Sequence, residues 1–168
     1  GAVVDMKDSY FNMVRPGLLL YGYDPGSSSK SRIKLKPVMN LKSKVTFIKK
    51  IDSGESVSYG RQYTSKKPVF VGSVPIGYGD GYWRLLTNRS NVLINKIFYP
   101  QIGAVTMDWI MVELGSRYNI KIGDDVLLMG QENGISIGAD KLAALCGTIP
   151  YEMLCAVADR VERIYINK

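Results

Sequence analysis

Short runs of β-forming residues, each closed by a cluster of glycine, proline, asparagine, aspartate or lysine, recur along most of this 168-residue chain. Val45 to Ile48, Val69 to Ile76, Val92 to Ile94, Tyr99 to Val105, Trp109 to Leu114 and Asp125 to Met129 have strand composition. Asp52-Ser53-Gly54, Ser65-Lys66-Lys67-Pro68, Asn88-Arg89-Ser90-Asn91, Asn95-Lys96 and Lys121-Ile122-Gly123-Asp124 separate them as turns. Runs this short at this spacing predict a mainly β fold, an antiparallel barrel or sandwich. One helix is expected over Ala139 to Leu145, where Leu142 and Leu145 share a face and Gly147 stands just past the end. A short helical turn is expected at Tyr151 to Val157 and a last strand at Val161 to Ile166. Ahead of the β region, Asp5 to Asn12 reads as a short helix with Asp5 as its N-cap. Val14 to Gly22, bounded by Pro16-Gly17 and Gly22, reads as a buried strand.

The chain is long enough, at 46% apolar residues, to bury a core of its own. No apolar run approaches the roughly 20 residues of a membrane span, and Gly1-Ala2-Val3-Val4-Asp5 lacks the parts of a signal peptide. A soluble, cytoplasmic protein without a membrane segment is expected. Ala2-Val3-Val4 reads as the tail of an element that begins elsewhere, so the chain is expected to be part of a longer one. Cys146 and Cys155 lie in an apolar stretch and are expected as free thiols in a reducing compartment. The sequence has no histidine, which removes histidine bases, triads and metal sites; no metal is expected. Acid or base chemistry falls to Tyr, Lys, Asp, Glu or Cys.

Charge is unevenly placed. From Pro25 to Lys50 there is no acid, while Lys30, Arg32, Lys34, Lys36, Lys42, Lys44, Lys49 and Lys50 supply a surplus as large as the net charge of +7. Lys30 to Lys36 alternates basic and other residues as a strand does. Phosphate neutralisation would use such a stripe, but single-strand binders interleave aromatics with the bases and this stretch offers only Phe47. A lysine-protected edge strand explains the pattern with less, and no nucleic-acid partner is expected.

Four stretches can carry chemistry. Glu55-Ser56-Val57-Ser58-Tyr59-Gly60-Arg61-Gln62-Tyr63 sets a tyrosine on a glycine between two alternating runs; as plain structure it is a strand end. Val14-Arg15-Pro16-Gly17-Leu18-Leu19-Leu20-Tyr21-Gly22 aims an arginine into a Pro-Gly turn whose amides can face an anion. Pro75-Ile76-Gly77-Tyr78-Gly79-Asp80-Gly81-Tyr82-Trp83-Arg84 has glycines at the wrong spacing for a dinucleotide loop and reads as a turn displaying Tyr78 and Arg84. Gly103-Ala104-Val105-Thr106-Met107-Asp108-Trp109 interrupts an apolar strand and, taken alone, reads as a bulge.

In combination these stretches are more specific. Arg-Pro-Gly before Leu-Leu-Leu-Tyr-Gly, then Val-Ser-Tyr-Gly-Arg, Pro-Ile-Gly-Tyr-Gly-Asp-Gly-Tyr, Gly-Ala-Val-Thr-Met-Asp and Gly-Thr-Ile-Pro-Tyr-Glu, in that order, resemble alanine racemase from Ala2 to Tyr165. The resemblance is to the C-terminal part of that family. It implies that residues 1–30 end a (β/α)8 barrel and linker and that residues 31–168 form the β domain. The rest of the barrel, with the lysine that binds pyridoxal 5'-phosphate covalently, would lie upstream.

The resemblance also implies roles. Tyr59 is the catalytic base on one face of the substrate α-carbon, opposite the barrel lysine, and it reaches into the site of the other subunit of a homodimer. A phenol serves as base near neutrality only beside positive charge, and the family places a barrel arginine there. Arg15 meets the pyridine nitrogen of the cofactor, the Gly17 and Leu18 amides help hold its phosphate, and Tyr151 lies near the phosphate, narrowing the pocket around a methyl side chain. The Met107 amide takes the substrate carboxylate; Tyr78 and Arg84 line the entry. Gly103-Ala104 stands where many members have an arginine, Thr106 where cysteine is usual and Pro150 where asparagine is. The retained Tyr151 favours alanine over serine. The implied activity is interconversion of L- and D-alanine for peptidoglycan, by the full-length dimer and not by this chain alone. The alternatives are a serine/alanine racemase, a non-catalytic module and a nucleic-acid-binding β module.

Overall fold

A computed structural model describes residues 2–24 and 34–166. Its centre is one curled antiparallel sheet. The strands are β1 (Leu41–Lys44), β2 (Phe47–Ile51), β5 (Val69–Val74), β6 (Asn91–Ile94), β7 (Ile97–Ile102), β8 (Ile110–Gly115), β9 (Asp125–Glu132) and β10 (Ile135–Ile137). The short β3 (Ser56–Val57) and β4 (Tyr63–Thr64) pair as a separate hairpin. Hydrogen bonding runs in the order β1-β9-β6-β7-β8-β5-β2, with β10 added to β9. The first and last members of that path are consecutive in sequence. Val45 donates to the Asp124 carbonyl at 3.0 Å and Thr46 to the Ser73 carbonyl at 3.0 Å, so residues 41–51 pair with β9 in their first half and with β5 in their second. The mainly β, barrel-like expectation holds.

The burial pattern explains the register. β8 alternates buried and half-buried residues along its length, as a strand with one face on a core must. In β9, Val126 to Gly130 are all buried, because α2 (Ala139–Cys146) packs against this strand as well. The main core joins Val92, Leu93 and Ile94, Val112 and Leu114, Val126 to Met129, and Leu142 and Ala143 of α2. A second cluster of Ile51, Val69, Val71 and Ile102 takes Val57 and Tyr63 of the β3–β4 hairpin onto it. α2 ends at Gly147, φ 69°, whose N–H bonds back to the Ala143 and Ala144 carbonyls, as the sequence predicts. α3 (Pro150–Cys155) follows with proline in its first turn.

Several expectations need correction. Asp5 to Asn12 is not one helix. Ala2–Asp5 forms a single helical turn (α1), with Asp5 as its last residue rather than an N-cap, and Lys7–Ser9 a 3-10 turn. Val14 to Gly22 is not a strand but a 3-10 turn, Gly17–Tyr21, in which only Leu18 is buried; Gly22, φ 83°, closes it with its N–H on the Leu18 and Leu19 carbonyls. Of the Lys30 to Lys36 stripe, residues 30–33 lie outside the described residues. From Lys34 to Asn40 exposure does alternate, but without a strand. The Gly103 to Trp109 stretch is a full loop between β7 and β8 rather than a bulge. Val161 to Ile166 is not a strand: the Arg163 guanidinium donates to the Val157, Ala158 and Val161 carbonyls and turns the segment back on itself. Among the described residues no helix is long and apolar enough to cross a membrane.

Candidate active site at the rim of the sheet

Tyr59 stands at the tip of the β3–β4 hairpin in a 3-10 turn, Tyr59–Arg61. Val57 and Tyr63 are directly paired across the hairpin, and both rest on the second cluster. The Tyr63 hydroxyl donates to Glu113 Oε2 at 2.6 Å; burial, then this bond, pushes the phenol's pKa up, which keeps it the donor. With its base fixed, the hairpin must turn within a few residues. Ser58, Gly60 and Arg61 all take positive φ, 66°, 69° and 49°, a conformation that glycine adopts freely and the other two adopt at a cost. Tyr59 is thereby held outward, 78% exposed. Ser58 Oγ donates to the Ala104 carbonyl at 2.9 Å, which ties the tip to the loop that carries Met107.

That loop is pinned in turn. The Tyr78 and Gly79 amides donate to the Thr106 and Met107 carbonyls at 3.0 and 2.9 Å. Thr106 Oγ1 closes the loop, accepting from the Trp109 amide at 3.0 Å and donating to the Trp109 carbonyl at 2.9 Å. In a trans peptide the C=O and N–H point to opposite sides. Because Thr106 C=O faces Tyr78, the Met107 N–H faces away from it. Tyr82, next to the Gly81 turn, is fully buried and exchanges a 2.7 Å hydroxyl bond with Ser90. Arg84 opens the following 3-10 turn, exposed, its carbonyl held by the Thr87 amide and hydroxyl.

The remaining expected residues form a second group. The Leu18 amide donates to the Tyr151 hydroxyl oxygen at 3.1 Å. Gly17, φ 57°, lies so close that a Cβ there would come 3.0 Å from the same oxygen. Arg15 is exposed one residue before Pro16. A phenol hydroxyl fixed by the Leu18 amide beside a tight glycine turn is donor chemistry that suits an anionic group such as a phosphate. One segment, residues 150–160, seats both groups. Tyr151 holds the first, while the Ala156 carbonyl lies against Gly81 and the Ala158 amide bonds the Asp80 carbonyl at 3.2 Å.

Some of what builds the rim is not evident in the sequence. Arg160 Nε meets Asp80 at 2.8 Å and its Nη2 meets Asp108 at 2.7 Å, bracing the two loops that carry Tyr78 and Met107. In Ala158-Asp159-Arg160-Val161-Glu162-Arg163 it looks like one more solvated charge. The acids it finds lie in Gly79-Asp80-Gly81 and Met107-Asp108-Trp109, turns where an aspartate has a local explanation. Gln101 is buried to 1% exposure within an apolar run, and that polar residue is a signal a reading of the sequence could have used. Among the described residues no cluster of three or more potential metal ligands occurs.

Residues 38–165 match the family described as alanine racemase, C-terminal domain. The alanine racemase of Clostridium novyi is 44% identical over 168 residues, covering 99% of this chain and 43% of the relative. An alanine racemase of Clostridium difficile 630, solved in complex with cycloserine, superposes with a TM-score of 0.89 at 40% identity, over 98% of this chain and 43% of that one. That of Bartonella henselae, with covalently bound pyridoxal phosphate, gives 0.84 at 34%, over 95% and 43%. The chain thus spans less than half the length of these relatives. With the order of its motifs, the curled sheet and these matches in agreement, the chain belongs to the alanine racemase family, and residues 38–165 form that family's C-terminal domain.

Proposed function

We propose that this chain is the C-terminal part of a pyridoxal phosphate-dependent racemase that interconverts L- and D-alanine with two bases, one per face of the substrate α-carbon. Residues 1–30 belong to the end of the barrel and its linker, and residues 31–168 to the β domain. The observation that carries the reading is Tyr59. A phenol 78% exposed on a tip held by its own cluster, by Ser58 and by backbone of positive φ is built to be presented to another surface, not packed within this one.

Tyr59 Oη takes the α-proton from one face of the substrate or returns it there. Its counterpart lysine lies outside this chain, and the site into which Tyr59 reaches is that of a second subunit, so a homodimer is the working form. The cofactor, when bound, supplies the electron withdrawal that makes the α-proton removable. Arg15 is assigned to its ring nitrogen, where a permanent guanidinium keeps that nitrogen unprotonated; the Gly17 amide and the Tyr151 hydroxyl are assigned to its phosphate, with Leu18 setting Tyr151 through its own amide. The Met107 N–H, aimed away from Tyr78, receives the substrate carboxylate. Tyr78 and Arg84 line the approach, and Tyr151 limits the side chain to a methyl group, favouring alanine over serine. The product fits a supply of D-alanine for peptidoglycan from the cytoplasm.

The test uses the full-length protein that contains this chain. With pyridoxal phosphate and L-alanine, D-alanine is expected to accumulate to near equality. Replacing Tyr59 by Phe should depress loss of α-deuterium from L-alanine by roughly a hundred- to ten-thousand-fold and spare loss from D-alanine, with the cofactor absorbance unchanged. Equal, near wild-type loss from both enantiomers would reduce Tyr59 to a packing residue.

A further inference from the structure

The tip that presents Tyr59 is held on its far side by two amide side chains with no role of their own in the proposed reaction. Asn88 lies in the turn after the Arg84–Leu86 3-10 turn with φ 56°, a left-handed conformation that asparagine tolerates better than most residues. Its Nδ2 donates to the Gln62 carbonyl at 3.0 Å, immediately after the Tyr59–Arg61 turn. Its Oδ1 accepts from the Gly103 amide at 2.6 Å. Its own backbone N–H donates to Gln101 Oε1 at 2.8 Å. Gln101 in turn spends Nε2 on the Ile102 and Gly103 carbonyls at 3.0 and 2.7 Å.

These bonds leave Asn88 one orientation. Exchanging its amide oxygen and nitrogen would set a donor against the Gly103 N–H and an acceptor against the Gln62 carbonyl. Gly103 fits only without a side chain: at φ 69° a Cβ would lie 2.8 Å from Ser58 Cβ and 2.9 Å from the Val57 carbonyl oxygen. The N-terminal side of the tip therefore lies on Gly103 and bonds Ala104, and its C-terminal side hangs from Asn88. Tyr59 stands between the two anchors.

We propose that Asn88, oriented by Gln101, is a positioning residue for Tyr59, setting where the phenol meets the substrate α-carbon. This rests on the racemase reading above. The proposal concerns one of the two bases, so it makes a directional claim that a general loss of packing cannot imitate.

The experiment uses the full-length holoenzyme with Asn88→Gly, which keeps the left-handed backbone and removes the amide, and Asn88→Asp, which keeps the acceptor for Gly103 but sets a carboxylate oxygen against the Gln62 carbonyl. Loss of α-deuterium is followed separately from L- and D-alanine, alongside amide hydrogen exchange of the peptide spanning residues 58–62. A misplacement of the order of 1 Å costs about a hundred-fold, so Asn88→Gly is expected to lower loss from L-alanine by about that factor. Loss from D-alanine should stay near wild type in both variants, and Asn88→Asp, which adds repulsion at the Gln62 carbonyl, should lower loss from L-alanine at least as far as Asn88→Gly. Exchange at residues 58–62 should quicken in both variants. Equal losses for the two enantiomers, or unchanged exchange at the tip, would overturn the proposal. Should Asn88→Gly fail to fold, Asn88→Asp carries both readouts. A wild-type protein that exchanges neither enantiomer would instead overturn the racemase reading, while tip exchange would still report on the clip.

Discussion

Gly77 has an extended backbone, φ −155°, which any residue can adopt, yet a Cβ there would lie 2.1 Å from the Thr106 carbonyl oxygen and 2.5 Å from the Met107 carbonyl group. The space, not the dihedral, requires glycine. Gly77→Ala forces apart the two loops that carry Tyr78 and Met107, and overpacking of this kind costs about 1–3 kcal/mol. A lowered thermal midpoint is expected, with KM for alanine in the full-length enzyme rising more than kcat falls if carboxylate binding is the function lost. Arg160 braces the same loops from outside, and its hydrogen bonds to the Asp108 and Asp80 carboxylates raise its pKa further, so it stays charged throughout the working range. At this scale Tyr59 stands out in the sequence because a tyrosine before a glycine, flanked by alternating runs, belongs to an ordered set of motifs. Asn88 does not, because within Asn88-Arg89-Ser90-Asn91 it reads as turn chemistry, and only the fold brings Gln62 and Gly103 to it.

Elements were legible where their ends carry a chemical reason. α2 ends at Gly147, whose left-handed φ and empty surroundings make the cost of a side chain there purely conformational. Gly147→Ala should destabilise by about 1–2 kcal/mol, read by chemical denaturation, without altering the rim. The β6–β7 hairpin turns at Asn95 and Lys96, both of positive φ, as the sequence marks, whereas β7 runs Ile97–Ile102 rather than Tyr99 to Val105. Gly17–Tyr21 is not so marked, because an apolar run between Pro-Gly and Gly is compatible with a strand or a helical turn; what decides is that Pro16 already has helical dihedrals, φ −68° and ψ −22°. β1 carries a pH-dependent contribution. Lys44 lies directly opposite Asp125 on β9 and bonds it at 2.6 Å, holding the carboxyl below its ordinary range. A depressed carboxylate adds stability above its unfolded pKa of about 3.9 and loses it as pH falls through the folded value. Asp125→Asn should therefore remove a small part of the stability difference between pH 6 and pH 3, an exposed pair being worth little.

At the scale of the molecule the β domain was readable and its completion was not. Far-ultraviolet circular dichroism of the chain is expected to be dominated by β structure, and a helical spectrum would contradict the fold. The chain alone, given pyridoxal phosphate and L-alanine, is expected to yield no D-alanine above a blank without protein, because the proposed covalent lysine is not among its residues. Local patterns name strands but not their neighbours. That residues 41–51 serve both ends of the sheet follows from pairings such as Leu41 with Met129 and Ile51 with Val69, which no window of sequence contains. Those pairings also impose an order in time. Leu41 leaves the ribosome long before Met129 exists, so the strand made first must wait unpaired along one half until β9 is complete. Its lysines, Lys42, Lys44, Lys49 and Lys50, guard it against wrong partners during that interval. Contacts this distant close slowly, and seating of residues 41–44 is expected to be among the last events of folding.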